Sequence, residues 1–378
     1  MPNALTPRER FRRIMHHQEA DRVPIDLAGC SLTGACSAVE DGLRRLLGLD
    51  GGRPKTSAYF DERILEALGV DFRDVGGLVG YGDHPHPSKP GRRVDIWGVE
   101  RAWSGQYWDI VHCPLRGATL RDLERYPWPD PERCVEAAPL DRYRERARRL
   151  YEESDCVVLA EHPVFGVLEL ACWMCGFDDF LLRLAAEPEF VHAFFRRYLD
   201  IQKRLIAPYY EAVGPYIHLT TSGDDFGTQR GPFLSPGMFR EFIAPYFAER
   251  IAFTRQFTDA YYWHHTCGSV HALLPDLIEI GVDILNPMQP GATDMEPARL
   301  KADFGDRIVF HGGFDTQHVL PFGTPQEVEA EVARLMAAMK PGGGYIFSAA
   351  HNIQADVPPE NVLAMFRAAR EHGAYSSG

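Results

Sequence analysis

The sequence predicts an α/β fold: a (β/α)8 TIM-type barrel with an N-terminal helical extension and an inserted hairpin or cap. Three observations predict it. From about residue 155, short apolar runs alternate with helical segments in six successive units, the pattern of parallel strands joined by crossover helices. RVPIDL (22–27) and one further strand before residue 155 bring the count to that of a closed barrel. No GxGxxG follows the first strand, which counts against a doubly wound open sheet. The 378 residues are 45% hydrophobic and 25% charged, which suits one barrel domain spanning 1–378.

The elements follow in chain order. Residues 1–20 form the extension. Thr6 with Pro7 and Glu9 makes an N-cap with a capping box, so a helix starts there and ends before Asp21–Arg22. RVPIDL reads as a short strand and SAYFDERILEAL (57–68) as a helix. Residues 84–135 are rich in Pro, Trp and His and read as an insertion or cap. Within them VDIWGVERAW (94–103) and GQYWDIVHCPL (105–115) can pair as a hairpin. His84 and His86, in GDHPHP, read as exposed loop histidines, and the basic run RYRERARRL (142–150) as a solvated helix face.

The regular units come next. CVVLAEH (156–162) is a strand, followed by helix up to about Val213. YIHLTTSGDD (216–225) leads to a helix from Ser235, and AYYWHHTC (260–267) to one through Ile280. VDILNPMQ (282–289) precedes PARLKADF, a short helix. RIVFHGGFD (307–315) precedes a helix from Thr324, and GYIFSAAHN (344–352) a last helix from Pro358.

Charge and composition narrow the function. A net charge of −13 argues against a general nucleic-acid role. No apolar run has the length of a membrane span, and the N-terminus lacks the apolar core of a signal peptide. Eight cysteines are too dilute for a disulfide scaffold, so a reduced, cytoplasmic protein is expected.

The reactive residues gather at strand ends: Glu161 and His162, Asp224 and Asp225, His265 and Cys267, Asn286 and Gln289, His311 and Asp315, His351 and Asn352. In a barrel those ends share the face where active sites are built. His265 and Cys267 are two apart on a strand and face the same side. An imidazole and a thiolate suit zinc, and His351 projects onto the same mouth as a third ligand. Alone, the HxC pair also fits a buried thiol beside a hydrogen-bonded histidine. His264 points to the opposite face. Asp224 and Asp225, with Glu161, are candidates for acid–base work, although one aspartate could equally cap a helix or turn. Gln229, Arg230, Asn286, Gln289 and Asp315 are candidate substrate contacts, with Arg230 suited to a carboxylate. Cys172 and Cys175 form a CxxC inside an apolar helical stretch and read as core packing.

TPRERF, DRVPID, GDDFGTQRGPFLSPGMFREFIAPY, HHTCGSVHALLPDLIEIGVDILNPMQP, HGGFDTQ and GGGYIFSAAHNIQADVPPENV together resemble the uroporphyrinogen decarboxylase superfamily. They look most like its branch of zinc-dependent corrinoid methyltransferases. The decarboxylase itself carries an early arginine-rich stretch; here the region reads PIDLAGCSLTGACS, without arginine. The resemblance implies Zn2+ on His265 and Cys267 through HxCG. His351 stands where relatives often have a cysteine. It further implies methyl transfer between a small-molecule methyl donor or acceptor and a corrinoid supplied by a partner protein. No nucleic-acid or membrane partner is expected, and a homodimer is open. The alternative is a metal-free decarboxylase or lyase acting on a small carboxylic acid.

Overall fold

The computed structural model describes residues 4–49, 59–77, 84–105 and 108–375. Seven parallel strands build the barrel wall: β1 (Phe72–Asp74), β6 (Val157–Glu161), β7 (Leu219–Gly223), β8 (Tyr261–His265), β9 (Ile284–Asn286), β10 (Val309–His311) and β11 (Tyr345–Ile346), each hydrogen-bonded to the next in that order. The RVPIDL segment closes the ring. Ile25 bridges Phe347 in parallel. The Asp26 N–H donates to the Phe347 carbonyl, and the Asp71 N–H donates to the carbonyl of Ile25. Pro24 has no N–H to extend this ladder, so the closure stays short.

The side-chain alternation of β8 fixes what faces inward. Trp263 and His265 point into the barrel, where Trp263 packs edge-on against His311 at 5.6 Å. Tyr262 and His264 point outward, and His264 stacks on Phe226 of the loop after β7. The interior is filled by Leu159, Leu219, Trp263, Ile284, Val309 and Ile346. Phe11 and Ile14 plug its base from the helix Pro7–Met15. Phe11 meets Phe72 and Tyr261 edge-on at 5.7 and 5.8 Å. That helix begins with the Thr6–Glu9 capping box that the sequence encodes.

Some boundaries depart from the sequence reading. The helix expected from residue 57 starts at Glu62, because Asp61 accepts the Arg63 N–H as its N-cap; residues 57 and 58 lie outside the described residues. The span after β6 is three helices, Leu168–Cys175, Phe177–Ala186 and Pro188–Val213. Gly176, at φ 95°, breaks the first from the second. The helix after Ser235 contains a π-turn at Phe239–Ile243. Pro245 cannot donate to the carbonyl four residues back, so the ladder slips there. The expected hairpin is present as β4 (Glu100–Trp103) against β5 (Trp108–His112). It belongs to a larger antiparallel sheet with β2 (His84–Pro85) and β3 (Arg92–Val94). Trp97 anchors this cap on the barrel helices, edge-on to Tyr198 at 5.2 Å. No described helix is long and apolar enough to cross a membrane.

Candidate metal centre and its flanking cavities

β8 ends at His265, and the chain turns sharply three residues later, at Gly268. Gly268 sits at φ +84°, and a Cβ there would come within 2.5 Å of the Gly227 backbone. Glycine therefore lets the two loops touch, which holds Cys267 at the mouth. The Cys267 Sγ lies 3.2 Å from His265 Nε2. The ring of His351, after β11, stands 5.3 Å from that of His265. One donor atom from each of His265, Cys267 and His351 lies within 4.8 Å of the others.

A buried chain of hydrogen bonds determines which nitrogen His265 presents. Asp26 Oδ2 is 3.1 Å from His311 Nε2. His311 Nδ1 is 2.8 Å from Asn286 Nδ2, and Asn286 Oδ1 is 2.6 Å from His265 Nδ1. A carboxylate only accepts, so His311 donates from Nε2 and must accept at Nδ1. Asn286 then donates through Nδ2 and accepts through Oδ1. His265 is left with its proton on Nδ1 and its lone pair on Nε2, facing Cys267. This is the arrangement by which an outer hydrogen bond sets the tautomer of a metal-binding histidine. Burial pushes His351 down to about 4, so its imidazole is neutral and its lone pair available. Burial, with Asp225 and Glu169 nearby, pushes the Cys267 thiol well up. It gives up its proton readily only to a cation. The donor set fits zinc.

Two cavities flank the trio, and His351 lines both. One, of about 240 Å³, is lined by Cys267, Thr228, Gln229, Gln289, Asp315 and Gln317 among others. The second, of about 320 Å³, is lined by His265, Glu161, Glu169, Asp225, Phe165 and Trp173 among others. Asp225 accepts the Cys267 N–H at 2.7 Å and lies 3.9 Å from His265 Nε2. Glu161 accepts the Ser31 N–H through Oε1, and burial raises its affinity for a proton.

Several expected contacts have other duties. Asp224 does not face the cavity. Its carboxylate accepts the N–H groups of Val167, Leu168 and Glu169 at 2.6–2.7 Å, capping the helix Leu168–Cys175. Burial pushes it up to about 7 while those three donors pull it down. Adjacent residues at a strand end diverge, so only Asp225 of the pair reaches the mouth. Arg230 lies on the exposed Thr228–Gly231 turn and lines neither cavity. Asn286 is buried and works on His265, as described. Asp315 lines the smaller cavity, but its Oδ1 is taken by the N–H groups of Gln317, His318 and Val319. Gln289 lines it too, and accepts the Gly268 N–H. Cys172 and Cys175 are buried in the core.

Asp26, Glu169, Phe165 and Trp173 were not picked out by the sequence reading. Asp26 had a signal: it is the acidic residue next to the end of the RVPIDL stave, on the face that carries the other reactive strand ends.

Comparisons with known proteins bear on the family and on the fold. The family model for uroporphyrinogen decarboxylase (URO-D) matches residues 111–372. A uroporphyrinogen decarboxylase of Psychromonas ingrahamii is 39% identical over 67 residues, 18% of this chain and 18% of that protein. One of Pseudomonas aeruginosa is 25% identical over 276 residues, 69% of this chain and 71% of that protein. A methyltransferase from Methanosarcina mazei superposes with a TM-score of 0.61 at 16% identity, covering 97% of this chain and 99% of the other. At that identity the likeness is one of fold.

Proposed function

Because the chain belongs to the uroporphyrinogen decarboxylase (URO-D) family, whose barrel brings a His–Cys–His set to its mouth here, we propose that it is a zinc-dependent methyltransferase. It moves a methyl group between a small molecule and a corrinoid carried by a partner protein. The observation that supports this most is the trio His265, Cys267 and His351, with donor atoms within 4.8 Å of one another between two cavities. A transfer enzyme needs places for two reactants on either side of one reactive centre.

Zinc on these three side chains would supply a Lewis acid. The chain's own residues do the rest. Asn286 and His311 hold His265 in the tautomer that offers Nε2. Cys267 contributes a thiolate once its proton is displaced. Glu161 keeps Oε2 for a proton, because Oε1 is occupied by the Ser31 N–H. Asp225 is the carboxylate beside His265 and accepts the Cys267 N–H at the same mouth.

The second reading is a decarboxylase or lyase on a small carboxylic acid, and the names of the sequence relatives favour it. The lining of the cavities weighs against it. Among the described residues no Lys or Arg lines either one. A substrate carboxylate would face Glu161, Glu169 and Asp225 without a cationic partner.

The test is methyl transfer to cob(I)alamin, followed by the absorbance of methylcobalamin, with zinc-loaded protein and a panel of methylated amines and methoxy compounds. Transfer that is lost in Cys267→Ala supports the proposal. Release of carbon dioxide from a carboxylic acid, with Cys267→Ala fully active, would replace it with the second reading.

A further inference from the structure

We propose that the larger cavity, on the β6–β7 side of the trio, recognises an organic cation of the alkylated ammonium class; this rests on the methyl-transfer reading and names its small-molecule substrate. The two cavities differ in chemistry. The smaller one offers uncharged groups, Thr228, Gln229, Gln289 and Gln317, and one aspartate, Asp315, whose Oδ1 takes three backbone N–H groups and whose Oδ2 lies 3.4 Å from His318 Nδ1. The larger one offers three carboxylates, Glu161, Glu169 and Asp225, from three separate elements.

Burial raises the proton affinity of Glu161 and Glu169, so a cation beside them is what would favour their charged forms. Among the described residues no Lys or Arg lines the larger cavity. The buried Arg250 guanidinium does not line the cavity but donates to His162 Nδ1 at 2.8 Å and to the Val164 carbonyl at 3.1 Å, and that of Arg101, over Trp173, is ion-paired to Asp95 at 2.7 Å. Zinc with one thiolate would add a single net positive charge. A cation in the cavity would lower the remaining cost of holding carboxylates away from water.

The wall completes the match. Phe165 and Trp173 meet edge-to-face at 4.5 Å and both line the cavity. An aromatic wall in the same cavity as carboxylates favours a weakly hydrated ammonium, whose methyl groups pack on the ring faces while its charge meets the acids. A neutral methoxy compound would gain the packing without the charge, and an anion would be repelled.

Calorimetric titration tests this, using choline, neohexyl alcohol (carbon in place of the nitrogen) and tert-butylacetate. Zinc content is measured on the same samples. Choline should bind about tenfold more tightly than neohexyl alcohol, and tert-butylacetate weakest. Glu169→Gln should weaken choline about tenfold and leave neohexyl alcohol unchanged. Equal binding of choline and neohexyl alcohol to wild-type protein overturns the inference, with no variant needed. If that result comes with zinc bound, the methyl-transfer reading stands and only the cation fails. If choline is preferred but zinc is absent, the cation site stands and the zinc reading fails.

Discussion

Asp26→Asn is a near-isosteric change whose effect should appear three residues away along a hydrogen-bond chain. In the native protein, Asp26 Oδ1 accepts the Gly29 N–H at 3.0 Å and Oδ2 accepts from His311 Nε2 at 3.1 Å. The Gly29 N–H holds the new amide with its oxygen toward Gly29 and its NH2 toward His311. His311 must then accept at Nε2 and donate from Nδ1. Asn286 turns over to accept that proton and donates to His265 Nδ1. His265 ends with its proton on Nε2, where the metal lone pair should be. Restoring the ligating tautomer sets one buried donor against another somewhere along the chain. Such a mispairing costs about 1–3 kcal/mol, so zinc affinity should fall roughly ten- to hundredfold. Competition against a chromophoric chelator measures it, and the charge-transfer band of a cobalt(II)-substituted sample reports whether Cys267 still ligates. Affinity unchanged within about twofold would refute the relay.

Two further outcomes follow from other parts of the structure. Asp224→Ala leaves three N–H groups of the helix Leu168–Cys175 without their acceptor. It should cost about 2–4 kcal/mol by denaturant unfolding while zinc content stays the same. His351 and His218 are both held down to about 4 by burial, against an ordinary 6.5. The unfolded chain therefore takes up their protons first as pH falls. Stability of the metal-free protein should drop progressively from pH 6.5 to about 4 and change no further from these groups below that, by up to about 3 kcal/mol for each histidine. Denaturant midpoints across that range measure it.

The barrel was legible because its signals are local. Strand and helix periods alternate along the chain, and capping residues such as Thr6 and Thr324 mark helix starts. The meeting of His265, Cys267 and His351 was legible because strand ends in a barrel converge whatever their separation in sequence. Roles within the mouth were less so, because they depend on which way a side chain turns. Asp224 and Asp225 are neighbours in sequence, yet one caps a helix and the other reaches His265. Asn286 reads as a substrate contact until His311 and Asp26 are seen behind it. Arg230, the residue chosen for a carboxylate, lies on an exposed turn where no spacing rule could place it. Glu169, Phe165 and Trp173 follow β6 outside any strand end, so the strand-end rule passes over them.

The most direct test of the account is zinc content by elemental analysis, on protein purified without chelators. It should be run on wild type and on His265→Ala, Cys267→Ala and His351→Ala, with circular dichroism to show that each is folded. Wild type should hold about one zinc per chain, falling sharply in all three variants. Metal-free wild type after zinc supplementation, or full zinc in folded Cys267→Ala, would contradict it.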